Sequence, residues 1–145
     1  MNHKNLNNNS LEKQVEKIIN FMKSHKWTGP IGIPLNLHEK LDKFTEKYLF
    51  DAYIDMNNAY KFHLAGNSVE AKKSLGYSLL WKDEALECSF HFGKNDFTTL
   101  IFKKTDEIIN NVIQYICSDD ISSNNYNINE IENIKENLKH MVEVA

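Results

Sequence analysis

The sequence predicts an α+β domain, in which helices cover one face of an antiparallel sheet of three to five strands. Apolar and polar residues alternate between Leu75 and Lys103, which is typical of half-buried strands. Segments before and after this region carry apolar residues at a spacing of three or four, which is typical of helices. Short polar segments containing Gly, Asn or Asp separate the two patterns, as connections between elements do.

The length and composition favour one domain with polar ends. A chain of 145 residues with 41% hydrophobic residues can bury a core without disulfides or a metal. Residues 1–9 are rich in asparagine and predict a flexible tail, and residues 10–117 predict a single α+β domain. Residues 118–128 predict a loop, and residues 129–145 predict a terminal helix that packs on the same domain.

The first helices are predicted from capping residues and apolar stripes. Ser10 suits the N-cap of a helix over 11–25. Residues 27–36 contain both prolines and predict either a buried extended connection, which we favour, or a partner-binding loop. The pattern Asn36-x-x-Glu39 predicts a capping box before a further helix, in which Phe44 and Tyr48 lie on one side.

Residues 50–65 fit two structures. Alternating apolar residues on both sides of Asn57-Asn58 favour a hairpin, whereas Tyr53, Met56, Tyr60 and His63 would share one face of a long helix. The alternation slightly favours the hairpin. Asn67-x-x-Glu70 then predicts a helix of about two turns.

Residues 75–103 predict a three-stranded meander. Residues 82–85 would form the first turn and residues 93–96 the second, and this register places the apolar side chains on one face. Cys88 would then point into the core and His91 away from it, so the two could not form a chelating or catalytic pair. The rings of Tyr77, Trp81 and Phe92 would belong to the core face, and Thr105 would cap the next helix.

Composition and motifs exclude several classes of function. The net charge is −3 and all 17 basic residues are lysine, so general binding of nucleic acid is not expected. Codon bias in an AT-rich genome would also account for the missing arginine. The histidines and two cysteines show no metal-binding spacing, and no cofactor is expected. No apolar run is long enough to span a membrane and no secretory leader is evident, so we expect a cytoplasmic protein.

These exclusions favour a non-enzymatic domain that binds another protein, as a monomer or a homodimer. One specific form is an immunity or antitoxin-type inhibitor, whose acidic surface would complement a basic toxin domain. The candidate contacts are Asp51, Asp55, Asp83, Glu84, Glu87, Asp119 and Asp120. Alternatives are a small enzyme or ligand-binding domain that uses His63 and His91 on an open sheet face, a secretion chaperone, and an oligomerisation module.

Overall fold

Helices make up almost all of the structure, a computed structural model that describes residues 12, 13, 15–17, 19, 20, 23, 41–121 and 128–143. The four longest described helices are α1 (Lys43–Leu64), α2 (Ser68–Phe92), α3 (Asp96–Ile116) and α4 (Ile128–Glu143). A short 3₁₀ helix follows α3 at Ser118–Asp120. The described residues between 12 and 23 are also helical, in agreement with the predicted first helix.

The predicted α+β class is wrong, because the described residues form a helical bundle and contain no strand. Residues 75–103 lie in α2, a short connection and α3, and residues 50–64 continue α1. The physical reason is that α2 carries two apolar stripes. One stripe is buried and includes Leu75 and Leu79, and the other runs along the outside and includes Tyr77 and Trp81. Two such stripes on opposite sides of a helix imitate alternation over a few residues.

Other predicted features fall outside the described residues. These are the tail at 1–9, the N-cap at Ser10, the connection at 27–36 and the capping box at Asn36. Of the predicted loop at 118–128, residues 122–127 also lie outside, and 118–120 are 3₁₀-helical. The predicted terminal helix is confirmed as α4.

Side-chain caps fix where the helices begin. The Asp42 carboxylate accepts hydrogen bonds from the backbone N–H groups of Phe44 and Thr45, each at 3.0 Å, and so starts α1. Asn67 caps α2 as predicted, although α2 is 25 residues long instead of two turns. Asn95 and Thr98 form a capping box at the start of α3.

The prediction that Thr105 caps a helix is therefore wrong, because Thr105 lies inside α3. It is fully buried, and its hydroxyl donates to the Ile101 carbonyl oxygen at 2.7 Å. The Tyr53 hydroxyl lies 2.9 Å from the Thr105 hydroxyl oxygen, and this hydrogen bond ties α1 to α3. Both hydroxyls are thus satisfied in the core, where a polar group without a hydrogen bond would be destabilising.

α1 and α2 form an antiparallel helical hairpin, which is the most extensive helix pair of the described bundle. Residues 65–67 connect the two helices, and Gly66 has a φ of 78°, which favours glycine. Near the opposite end of the hairpin the rings of Phe44 and Phe92 stack with centroids 5.8 Å apart. Between these ends the Ser78 hydroxyl donates to the Ala52 carbonyl oxygen at 2.7 Å.

The inner sides of the described helices meet in one core. α4 packs on α2 at a point of close approach. At this point Gly76 faces the backbone of Leu138. In the described part of the chain, no helix has both the length and the apolar character needed to cross a membrane. The largest fully buried side chains are Leu41, Leu49, Phe50, Tyr53, Leu75, Leu79, Ile101, Ile109, Ile113 and Ile131.

Candidate functional site

The two histidines proposed as an enzyme site are far apart. His63 lies in the last turn of α1, where its ring meets the edge of Tyr115 at 4.8 Å. His91 lies in the last turn of α2, at the other end of the hairpin. The length of α2 between the two ends is roughly 35 Å, at 1.5 Å per residue. With no sheet in the described residues, no open sheet face carries both histidines.

Cys88 and His91 are three residues apart on a helix, so the prediction that they point in opposite directions is wrong. Cys88 is half-buried, so the prediction that it points into the core is wrong. Burial raises the pKa of its thiol, and the carboxylates of Asp42, Glu84 and Glu87 raise it further. A nucleophilic cysteine needs a lowered pKa, so these surroundings oppose catalysis by Cys88.

The other cysteine is a core residue. Cys117 is fully buried where α3 ends, and burial raises the pKa of its thiol to about 11. Within the described part of the chain, no three His, Cys, Asp or Glu side chains are close enough together to hold a metal ion.

The seven candidate acidic residues do not form one surface. Asp119 and Asp120 lie on the 3₁₀ helix, and Asp120 pairs with Lys72 of α2 at 2.9 Å. Lys72 precedes Glu84 by twelve helical residues, or about 18 Å. Asp83 contacts Lys82 of α2 and Lys139 of α4, each at 3.2 Å, and so helps to join these helices.

Three of the seven share the outer side of the helical hairpin. Asp51 and Asp55 of α1 are one turn apart, and Glu84 of α2 is exposed on the side of that helix that carries Tyr77. Aromatic residues recur on the same sides at a spacing of three or four. We call this surface the hairpin face, and it comprises Phe44, Tyr48, Asp51, Asp55, Tyr77, Trp81, Glu84 and Phe92.

Aromatic contacts connect the two helices across the hairpin face. Phe44 stacks on Phe92, and Tyr48 stacks on Trp81 with centroids 5.6 Å apart. Phe44, Tyr77 and Phe92 remain 48%, 44% and 59% exposed. The prediction that Tyr77, Trp81 and Phe92 belong to the core is therefore wrong for Tyr77 and Phe92, and Trp81 is half-buried.

Lys47 shows what the aromatic part of this face can bind. Its ammonium lies 5.4 Å from the ring centre of Tyr48 and 6.0 Å from that of Trp81. It also pairs with Asp51 at 3.0 Å. Rings and a carboxylate around an ammonium group form a cation-binding arrangement.

Asp55 lies beside this arrangement and has a perturbed acidity. Its carboxylate is half-buried, and burial raises its pKa to about 6 although hydrogen bonds from Trp81 and Asn58 oppose the shift. The neighbouring Asp51 carboxylate raises the pKa further. In the described part of the chain, neither Asp55 nor Glu84 forms an ion pair with a lysine.

The sequence pointed to the acidic half of the hairpin face but not to its aromatic half. The spacing of Tyr77, Trp81, Glu84 and Cys88 is helical, and this signal could have identified the outer stripe of α2. It was obscured by the alternation of Leu75, Tyr77 and Leu79.

No protein-family model, no curated protein and no solved structure matches this chain.

Proposed function

We propose that this protein is a non-enzymatic binding domain whose hairpin face docks a basic, amphipathic segment of another protein. The observation that carries the proposal is that Asp55 and Glu84, carboxylates without a lysine partner among the described residues, share one face with two aromatic stacks. The stack of Tyr48 on Trp81 is half-buried, and the stack of Phe44 on Phe92 is exposed. Aromatic residues supply much of the energy in protein interfaces, and exposed apolar patches mark such interfaces.

The charge of the hairpin face favours a basic partner. Asp51 already holds Lys47, whereas Glu84 is exposed and has no lysine partner among the described residues. Asp55 accepts hydrogen bonds from Trp81 and Asn58 but also has no lysine partner there, so both carboxylates can pair with lysine or arginine side chains of a partner. Rings next to these carboxylates would cover the apolar side of the same segment. Complementary charge also speeds association and disfavours acidic competitors.

A basic toxin domain inhibited by this protein is one partner of this kind, and it remains part of the proposal. Asp83 and Asp120 would contribute less than the sequence suggests, because lysines of this chain already neutralise them. The hairpin face therefore replaces a diffuse acidic surface as the proposed contact.

The test compares a hairpin-face variant with a matched control. Phe44→Ser removes a ring of the hairpin face, and Tyr115→Ser removes an aromatic residue of similar exposure, 43%, from another part of the bundle. A partner recovered from the native cells with the wild-type protein is identified by mass spectrometry, purified and titrated calorimetrically against all three proteins. We expect Phe44→Ser to weaken binding by about tenfold to a hundredfold, as central aromatic contacts do, and Tyr115→Ser to leave it unchanged.

Equal affinity of the three proteins for the purified partner would contradict the proposal, as would an acidic partner. Sedimentation equilibrium of the purified protein provides a second check. A dimer that Phe44→Ser dissociates would place a second copy of the chain on the hairpin face and would overturn the assignment of a basic partner.

A further inference from the structure

A second recessed surface lies away from the hairpin face, between α1 and α3. It is a cleft of about 300 Å³, at the lower end of the range found for small-molecule sites. Lys23, from the helical residues that precede α1, closes one side. The Asn57 side-chain amide donates to the Lys23 carbonyl oxygen at 2.8 Å and so fixes this boundary.

The inner part of the cleft is apolar. Met56 of α1 faces Ile108 and Val112 of α3 across it. Tyr53 lies between these walls, and its hydroxyl is already bonded to Thr105 in the core. Because Tyr53 is almost fully buried, its ring forms the inner boundary of the cleft.

Polar groups are confined to a few positions. Among the described residues that line the cleft, Asn57 and Asn111 bring one side-chain amide from each wall, Lys23 is the one charged residue, and none carries a carboxylate. The Asn57 amide nitrogen already donates to the Lys23 carbonyl oxygen. The side-chain oxygen of Asn57 is therefore the group that can accept a hydrogen bond from a ligand.

An aromatic cluster borders the cleft. Tyr60, which lines it, stacks on Tyr115 with ring centroids 5.1 Å apart, and Tyr115 also meets the ring of His63. Rings at the mouth of an apolar cleft favour a flat ligand, because stacked rings add contact energy beyond the burial of area.

The larger groove between α2 and α4 differs in chemistry. It measures about 560 Å³, but the ion pair of Lys72 and Asp120 occupies part of its wall. Because Lys72 and Asp120 already pair with each other, this groove does not offer a ligand a set of polar groups comparable to that of the cleft.

We propose that the cleft between α1 and α3 binds an uncharged, ring-containing small molecule that donates a hydrogen bond to the Asn57 side-chain oxygen. The apolar walls and the single converging pair of amides define this ligand class. The cleft uses none of the residues of the hairpin face, so this binding is independent of the protein partner.

The test is an NMR titration of the ¹⁵N-labelled full chain with indole, which is an uncharged bicyclic ring with one N–H donor. We expect saturable shifts of the backbone amides of residues 53–60 of α1 and 108–112 of α3. Val112→Phe fills the cleft and should weaken indole binding by about tenfold or more. Val69→Phe makes the same change in the groove between α2 and α4 and should leave binding unchanged.

A wild-type spectrum without saturable shifts in these residues would overturn the inference. Equal binding by Val112→Phe and Val69→Phe would do the same. Asn57→Ala serves as a second variant if Val112→Phe does not fold. It should weaken binding several-fold, because it removes the side-chain oxygen that accepts the hydrogen bond of the ligand, and unchanged binding would count against the site. Phe44→Ser should bind indole like the wild type, which separates this result from the test of the hairpin face.

Discussion

Gly76 allows α4 to approach the backbone of α2. A Cβ atom at this position would lie 2.3 Å from the Leu138 carbonyl oxygen and 3.1 Å from a methyl carbon of Val142. The first distance is far inside van der Waals contact and involves backbone, so a side chain could fit only if the helices moved apart. The glycine therefore has a packing role within a helix, where it would otherwise be unfavourable.

Gly76→Ala should destabilise the protein by about 1–3 kcal/mol, the usual cost of overpacking. Helix propensity alone predicts the opposite sign, a gain of about 1 kcal/mol. The measurement is the free energy of unfolding from urea titrations, with the exposed Glu87→Ala of the same helix as control. A variant more stable than the wild type would contradict the close contact of α2 with α4.

Asp55 makes the stability of the protein depend on pH. Its pKa is about 6 in the folded protein, against about 3.9 in an unfolded chain. Between these values the folded state binds more protons, so the contribution of Asp55 to stability is present below pH 4 and is lost as the pH rises through 6. At neutral pH the half-buried charge is therefore destabilising.

Asp55→Asn should unfold at a higher urea concentration than the wild type at pH 7.5, and the difference should disappear at pH 4. Asparagine keeps an oxygen that can accept the hydrogen bond from Trp81 but carries no charge. The exposed Asp119→Asn is the control and should shift the midpoint little at either pH. A less stable Asp55→Asn protein at pH 7.5 would show that burial does not dominate at this carboxylate.

At the scale of elements, the hairpin of α1 and α2 supports the proposed binding surface. The stack of Phe44 on Phe92 closes its open end, and the connection at 65–67 closes the other. Because both rings stay more than 45% exposed, they can stabilise the hairpin and still contact a partner.

A double-mutant cycle should detect this stack. Phe44→Ala and Phe92→Ala should show a coupling of about 0.5–1.5 kcal/mol in the free energy of unfolding, the range for aromatic pairs. The control cycle joins Phe44→Ala with Tyr115→Ala, whose ring stacks on Tyr60 instead. Additive effects of Phe44→Ala and Phe92→Ala would mean that the two rings do not pack together in solution.

Local signals predicted some ends of elements correctly, although the predicted turns at 57–58 and 82–85 and the predicted cap at Thr105 lie inside helices. The cap at Asn67, the break at 93–95 and the terminal helix α4 all carry local signals, because capping and glycine act over a few residues. Local signals could not decide whether the residues of α2 form a helix or strands. Whether Tyr77 and Trp81 lie in the core or outside depends on which helices pack against α2, and that is decided by the whole chain.

In the candidate site too, local signals predicted some features and the packing of the helices decided the others. Asp51 and Asp55 were both predicted as contacts, and α1 places them on one side of a helix. The contact of Asp55 with Trp81 required the pairing of α1 with α2, which only the short connection at 65–67 indicates in the sequence. The prediction of a β-hairpin at residues 50–65 hid this pairing of helices, because it assigned part of α1 to strands.

At the scale of the whole molecule, one bundle presents two distinct surfaces. The inner sides of the described helices form a common core that includes Val15 and Ile19 of the N-terminal helical residues. The hairpin face lies outside this core on α1 and α2, and the cleft lies between α1 and α3. The hairpin face depends on residues 75–92 being helical, because strands there would remove the outer stripe of α2. The cleft depends on residues 96–103 being helical, because they are the first turns of α3, which forms one of its walls.

The ¹³Cα secondary chemical shifts of residues 75–103 in solution test this requirement most directly. The bundle predicts positive shifts from Leu75 to Phe92 and again from Asp96 to Lys103, with an interruption at 93–95. Negative shifts over three segments separated by turns near 82–85 and 93–96 would instead show a meander, and would contradict both the fold and the two surfaces built on it.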